Sequence, residues 1–326
     1  MAARSPRIRF LWITDPWETL DHAKDTTLRL AQESLSLGHE NYWTDVKSIR
    51  RENSRTLLTA VRILDAGDRQ PGSFVLGPSR NFAPDQFQKL SYRTDPPVDL
   101  AYLHPLQILQ MGLDSSKGAE LINPAEVLFF GNEKLEGTVV HGLSPPTLAS
   151  SEWDHLQSFG KREGRVVLKP LHEAQSKGVE LLDFRNDSGT QAARAALEKI
   201  TAGFQIPVLL QRFLEGIAEG EQRLWFLDGK LLACVRKRPK NGEFKIDMDR
   251  GGFLSPTRLN AQEKRAADKV GKHLRTLKVR LAAVDLIEAK VTDFNLTSPG
   301  LLTPMEGILG LNLARPVIER LARPWK

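Results

Sequence analysis

The residues best suited to chemistry are three oxygen-bearing side chains near the end of the chain, Asp285, Asp293 and Asn295, and one lysine upstream, Lys169. Asp293 and Asn295 are two positions apart, so on a strand both face one side. Asp285 falls in the preceding strand-like run, where a hairpin would bring it to the same space. Hard oxygen ligands of this kind suit magnesium, which keeps part of its shell for phosphate oxygens. Lys169 closes the apolar run Arg165–Lys169 and precedes Pro170. A lysine reaching phosphate, followed by oxygens that hold magnesium, is what an ATP-dependent ligase needs. Each feature also has a plain structural reading: an Asp at a strand end caps a turn, and a lysine is a surface residue.

The elements that must position these residues fall into two regions. Ile8–Thr14 reads as a buried strand broken by Asp15-Pro16, and Lys24–Leu37 has helical spacing ended by Gly38-His39. Asn41–Trp43 reads as the next strand. This order predicts an open α/β domain with a parallel sheet, in which ligands sit at the carboxyl ends of strands. Asp15 lies at one such end, and Arg93 and Asp95 at another. Arg50–Gln88 is polar, with Pro71-Gly72 and Gly77-Pro78 turns, and yields no element. A helix through Leu106–Met111 and a strand near Ala119–Pro124 complete the region, with a boundary near residue 125. Beyond Gly131 strands meet in hairpins. Arg223–Leu227 and Leu231–Val235 flank Asp228-Gly229, and Leu281–Ile287 precedes Val291–Leu296. Ala261–Leu277 reads as an amphipathic helix.

The 326 residues suffice for two or three domains, and 40% apolar with 26% charged residues is ordinary for a globular chain. Lys and Arg number 46 against 40 Asp and Glu, a net charge of +6. That balance suits ATP and acidic substrates. The basic run Arg236–Lys240 reads as a solvated loop, so no nucleic-acid partner is expected. Cys234 stands alone, which excludes an intramolecular disulfide, and it reads as a small core residue. Phe10–Ile13 is too short for a signal peptide. No run approaches the ~18 apolar residues that a membrane span requires. The cytoplasm is the default location.

Several short runs, in order, resemble the bacterial glutathione synthetases, which are ATP-grasp ligases. They are Asp15-Pro16, Lys24–Thr27, Arg93–Pro97, Asn132–Leu135, Leu143–Pro145, Leu168–Leu171 and Asn295–Pro299. The resemblance runs almost end to end. It implies an N-terminal open α/β domain over residues 1–125, then α+β ATP-binding domains with antiparallel sheets over 126–326. A lid would occupy about 130–210 and a catalytic part 211–326. It implies that glycine is joined to γ-glutamylcysteine, with ATP and Mg2+, through an acyl phosphate, by a homo-oligomer.

The resemblance also implies roles. Lys134 and Lys169 reach the ATP phosphates, under a loop that includes Ser176 and Gly178. The backbone of the run with Gln211, Phe213 and Leu214 pairs with adenine, and Glu221 takes the ribose. Asp285, Asp293 and Asn295 hold the metal, and Arg223 steadies the transition state. Asp15, Arg93, Asp95 and Ser298 are the expected substrate contacts, with Arg93 on a carboxylate. Four departures stand out. The loop His172–Val179 keeps one glycine. Position 293 is Asp where Glu is usual. Lys237 replaces a mobile-loop arginine, for which Arg236 or Arg238 could substitute. Segment 300–307 differs where the acceptor would be held. They leave two rival readings: a ligase for another acyl donor or acceptor, and a ligand binder without turnover.

Overall fold

The computed structural model describes residues 6–114, 118–173, 176–240, 243–248 and 250–325. The first sheet contains β1 (Arg9–Thr14), β2 (Glu40–Asp45), β3 (Arg50–Glu52), β4 (Arg55–Asp65), β5 (Val75–Leu76), β6 (Arg80–Phe82), β7 (Lys89–Tyr92) and β8 (Glu120–Ile122). Its order is β3-β4-β2-β1-β7-β8, with β5 and β6 also on β4. The strands β2, β1, β7 and β8 run parallel, as expected. The run Phe10–Ile13 in β1 is buried throughout, the pattern of a strand covered on both faces.

The expectation for Arg50–Gln88 is corrected. This stretch holds the antiparallel edge of the sheet, including the eleven-residue β4. Thr56, Leu58, Ala60 and Ile63 are buried, while Arg55, Thr59 and Arg62 interrupt the apolar run, and a bulge shifts the register between Ile63 and Asp65. With one strand serving β2, β3, β5 and β6 in turn, no simple alternation survives in the sequence.

The helix α1 (Thr26–Ser36) starts where the Asp25 carboxylate accepts from Leu28 N at 2.8 Å. It buries Leu28, Leu30 and Ala31. Asp99 caps α2 (Leu100–Leu113) in the same way. Two short helices follow, α3 (Ala125–Phe130) and α4 (Glu136–Val139). The second sheet is antiparallel, in the order β11 (Glu180–Asp183), β10 (Arg165–Pro170), β12 (Val208–Arg212), β9 (Thr147–Ser150). Its apolar core is completed by α5 (Trp153–Glu163) and α6 (Asp187–Ile200).

The third sheet is also antiparallel. Its order is β15 (Phe253–Pro256), β14 (Lys230–Arg238), β13 (Glu221–Leu227), β16 (Leu281–Ile287), β17 (Lys290–Asn295). The helix α7 (Ala261–Thr276) covers it with Ala266, Ala267, Val270 and Leu274. Finally, α8 (Leu302–Leu309) and α9 (Ala314–Leu321) share one core with Phe10 and Trp12 of the first sheet and Trp225 and Ala283 of the third. Buried Asn123, just past β8, strengthens this junction. Its amide donates to Leu281 O and Leu296 O, both at 2.7 Å, and its oxygen accepts from Arg280 N and Leu281 N. No helix among the described residues is long and apolar enough to cross a membrane.

Candidate active site

A cleft of about 840 Å³ is lined by strand residues of the second and third sheets and by loops, among them the segments before α1 and after β7. Its floor is the β16–β17 hairpin. Asp285 pairs in register with Asp293, and Asn295 with Ala283, so the three oxygen-bearing residues converge as the spacing predicts. The Lys134 ammonium sits on Asp293, with Nζ 2.8 and 3.0 Å from the two carboxylate oxygens. Burial acts against that ammonium, but Asp293, with Glu133 and Asp285 behind it, outweighs burial and holds the pKa above the ordinary lysine value. Lys169 comes from β10 and donates to Gln211 Oε1 (3.0 Å) and Thr292 O (2.7 Å). Burial pushes it down to about 8, against the pull of Asp293.

Beside the hairpin, across β13 and β14, a buried ionic network also lines the cleft. Arg223 clamps Asp285 with two parallel hydrogen bonds of 2.7 Å, through Nε and Nη2. Lys237 Nζ donates to the same carboxylate at 3.1 Å and also pairs with Glu221. Burial alone would raise the Asp285 carboxyl, but Arg223 and Lys237 hold it down at about 2. Burial and the Asp285 charge push Glu221 the other way, upwards. Lys237 therefore stands on β14, opposite Glu221 in the ladder, and not in a mobile loop. Arg238, the last residue of β14, pairs with Phe253 and does not line the cleft.

The donor set fits magnesium. Two carboxylates and one carboxamide oxygen on adjacent strands suit an ion that keeps phosphate and water ligands. Each carboxylate oxygen accepts more than one bond, so the contacts from Lys134, Arg223 and Lys237 leave capacity on Asp285 and Asp293.

Gln211, Phe213, Leu214 and Glu221, expected to meet the nucleotide, all line the cleft, as does Ser176. The Phe213 amide donates to Arg165 O at 3.0 Å. The Phe213 ring lies 4.6 Å from the Arg165 guanidinium carbon and 6.3 Å from the Phe244 ring. Gly178 does not line the cleft. Its φ is +66°, and a Cβ there would come 2.7 Å from Pro170 Cγ, so it lets the loop close against the end of β10. Ala174 and Gln175 of the same loop lie outside the described residues.

At the other end, Asp95 and Ser298 line the cleft and hydrogen-bond each other. Asp15 and Arg93 stand behind the wall. Asp15 accepts from Asp95 N at 2.9 Å. Arg93 is buried and donates to Thr27 Oγ1 and to Pro299 O. Arg93 does not line the cleft, and these bonds occupy its Nε and Nη2. A residue that the sequence reading passed over is Glu133. One of its oxygens accepts from Leu296 N (2.6 Å), Thr297 N (2.9 Å) and Thr297 Oγ1 (3.0 Å). It thereby fixes the turn that follows Asn295. Its place beside Lys134 in the Asn132–Leu135 run was the available signal.

Residues 133–308 match the prokaryotic glutathione synthetase ATP-grasp domain, and residues 8–128 match the N-terminal domain of the same enzyme. The chain belongs to the prokaryotic glutathione synthetase family. Glutathione synthetases of Prochlorococcus marinus and Synechocystis are 29% and 30% identical to it, over 96% and 95% of this chain and 98% of each relative. Among solved structures, a D-cycloserine synthetase superposes with a TM-score of 0.65 at 16% identity, covering 96% of this chain and 99% of that one. A RimK domain protein from Sphaerobacter thermophilus gives 0.62 at 14%, covering 95% and 98%. At those identities the likeness shows the ATP-grasp fold alone. This family member is a ligase that forms a carbon–nitrogen bond at the expense of ATP, with Mg2+ as cofactor.

Proposed function

We propose that the protein joins glycine to γ-glutamylcysteine. A carboxylate oxygen of the dipeptide attacks the γ-phosphorus of ATP, the bond to the bridging oxygen breaks, and ADP leaves. The glycine amine then attacks the acyl carbon, the C–O bond to the phosphoryl group breaks, phosphate leaves with that oxygen and the bonding electrons, and the amine proton passes to solvent. The first step brings two anions together and the second expels phosphate, so cations must neutralise the charge. Lys134 and Lys169 supply fixed charge for the phosphates, and Asp285, Asp293 and Asn295 would hold magnesium, which neutralises phosphate oxygens. Arg223 lines the cleft and is the candidate for charge that develops at the acyl centre.

The observation that carries this reading is the meeting of Lys134 with Asp293 beside Lys169, Asp285 and Asn295 in one cleft. A homo-oligomer in the cytoplasm belongs to the same reading, on the family resemblance. The test is ADP release and product mass with γ-glutamylcysteine and a panel of amino acids. Glutathione as the main product is the expected outcome. A different acceptor is favoured by one feature, Leu301, which lines the cleft with φ at +71°. Turnover with another amine but not glycine would move the assignment to that acceptor, and no ADP release with any of them would rule out γ-glutamylcysteine as the donor.

A further inference from the structure

The substrate end of the cleft is assembled from three segments that no sheet joins: the chain leading into α1, the turn after β7, and the link between β17 and α8. Lys24, Asp95, Ser298, Gly300 and Leu301 reach the cleft from these three. One side chain holds all three from behind. Arg93 follows β7 and is 4% exposed. Its Nε donates to Thr27 Oγ1 at 2.8 Å, its Nη2 donates to Pro299 O at 2.9 Å, and its own amide donates to Ile13 O at 2.7 Å. The Asp25 and Asp95 carboxylates face it with opposite charge.

We propose that Arg93 is a positioning residue for the acyl donor and the acceptor, one that sets the distance between the Ser298–Leu301 wall and the wall that carries Lys24 and Asp95. The proposal rests on the reading that this end of the cleft binds the two non-nucleotide substrates. A direct grip on a carboxylate would need two guanidinium N–H groups aimed into the cleft, whereas Nε and Nη2 are spent on Thr27 and Pro299. The segment beyond Pro299 needs such anchoring. Gly300 O accepts from Trp225 Nε1 (3.0 Å), Leu302 N donates to Thr26 Oγ1 (3.3 Å), and Arg69 reaches Thr303 Oγ1 (3.2 Å). Between these bonds Leu301 is held at φ +71°, which residues with a Cβ seldom adopt. Such a conformation persists only where its surroundings over-determine it. A lysine at 93 has one point charge and cannot serve Thr27 and Pro299 in the same fork geometry.

The test compares Arg93→Lys with the wild type in the full chain. KM for both γ-glutamylcysteine and glycine should rise about tenfold or more, since small misplacements at reacting groups are costly. The Kd of a non-hydrolysable ATP analogue should change less than about twofold. Hydrogen exchange at the Gly300 and Leu302 amides should quicken in the unliganded protein. A donor analogue with its non-reacting carboxylate made into an amide separates the alternatives. A positioning role keeps the same ratio between wild type and variant. A direct carboxylate grip brings that ratio to about one, which would overturn the proposal, as would unchanged exchange. Should Arg93→Lys fail to fold, Thr27→Val removes one anchor alone and should show the same pattern more weakly, while Thr27→Ser should match the wild type; equal behaviour of Val and Ser would also overturn it. If the wild type turns over no donor and acceptor pair, the substrate reading falls, yet the exchange measurement still decides whether Arg93 holds the segment.

Discussion

The two ends of the cleft use charged residues in opposite ways. At the nucleotide end, Lys169, Asp285, Asp293 and Asn295 stand on ladder strands of the second and third sheets. Their backbone groups are mostly satisfied by neighbouring strands, so the side chains are left to face the cleft. At the substrate end the walls are loops. Loop carbonyls and amides must find partners too, and charged or polar side chains supply them: Arg93 for Pro299 O, Asp15 for Asp95 N, Trp225 for Gly300 O. On the proposed function, a charged residue beside a strand end is a ligand contact in one half and a loop anchor in the other.

The largest effect that sharpens this contrast should come from Asp285. Asp285→Ala leaves Arg223 and Lys237 buried without their shared carboxylate. Breaking a buried ion pair in this way costs about 3–5 kcal/mol of stability, and denaturant unfolding should show a loss of that order together with loss of turnover. The pH dependence follows from the depressed carboxyl. Its folded pKa is about 2 against 3.8 in the ordinary state, so the unfolded chain binds more protons between those values. The stabilisation is complete above about pH 4 and fades as pH falls towards 2. Asp285→Asn should flatten that acid limb; an unchanged limb would assign it to other carboxylates.

Asp293→Asn is the next step down. The residue is about a quarter exposed, and its main partner Lys134 keeps one oxygen acceptor in the variant. The fold should survive with a melting temperature close to the wild type, whereas magnesium-dependent turnover should fall at least about a hundredfold, as loss of a magnesium ligand removes several kcal/mol of charge stabilisation. Near-normal kcat would remove Asp293 from the metal set.

These two residues also show what the sequence could convey. The spacing of Asp293 and Asn295, and the hairpin that brings Asp285 opposite, are local facts that strand periodicity carries. Lys169 at the close of an apolar run is local as well. Arg93 was visible as a residue type, but its partners are 66 and 206 positions away, and no periodicity reports which carbonyl a guanidinium will find. Asn123, which braces the two halves through Leu281 and Leu296, is hidden for the same reason. The β4 edge was missed because its alternation is interrupted by arginines and by a bulge. The parallel core, with its continuous apolar runs, was the easiest part to read.

Lys169 tests the nucleotide half by affinity. Lys169→Ala should weaken binding of a non-hydrolysable ATP analogue about tenfold or more, and Lys177→Ala by less than about threefold. Equal losses would move the phosphate contact into the loop. The pH dependence has a definite sign. Folded Lys169 has its pKa near 8, so its ammonium is fully charged only well below that pH. Affinity for the analogue should fall as pH rises through 8, by no more than about tenfold per unit for one proton. Lys169→Arg stays charged and should remove the fall. Protein stability should move the other way, since above pH 8 the unfolded lysine holds a proton that the folded one has lost, and it rises until the ordinary lysine value of 10.5.

Asp15 gives the smallest effect and the sharpest test of the loop-anchor reading. Its carboxylate accepts from Asp95 N at 2.9 Å. Burial, with the Asp95 charge adding to it, holds its pKa above the ordinary value. What matters for an anchor is the acceptor and not the charge. Asp15→Asn keeps a carbonyl oxygen at the same reach, so stability and both substrate KM values should stay within about twofold of the wild type. Asp15→Ala removes the acceptor, leaves the Asp95 amide to water, and should cost about 0.5–1.5 kcal/mol of stability. Because that amide begins the turn that presents Asp95, the KM for the donor should rise modestly, about two- to fivefold. A substrate contact predicts a different pattern. If Asp15 paired with the donor's ammonium, Asn would lose the charge and raise KM about as much as Ala does, with stability unaffected in both. Melting curves and KM for the two variants side by side tell the patterns apart. Asn behaving like Ala would return Asp15 to the substrate set and break the contrast between the two ends of the cleft.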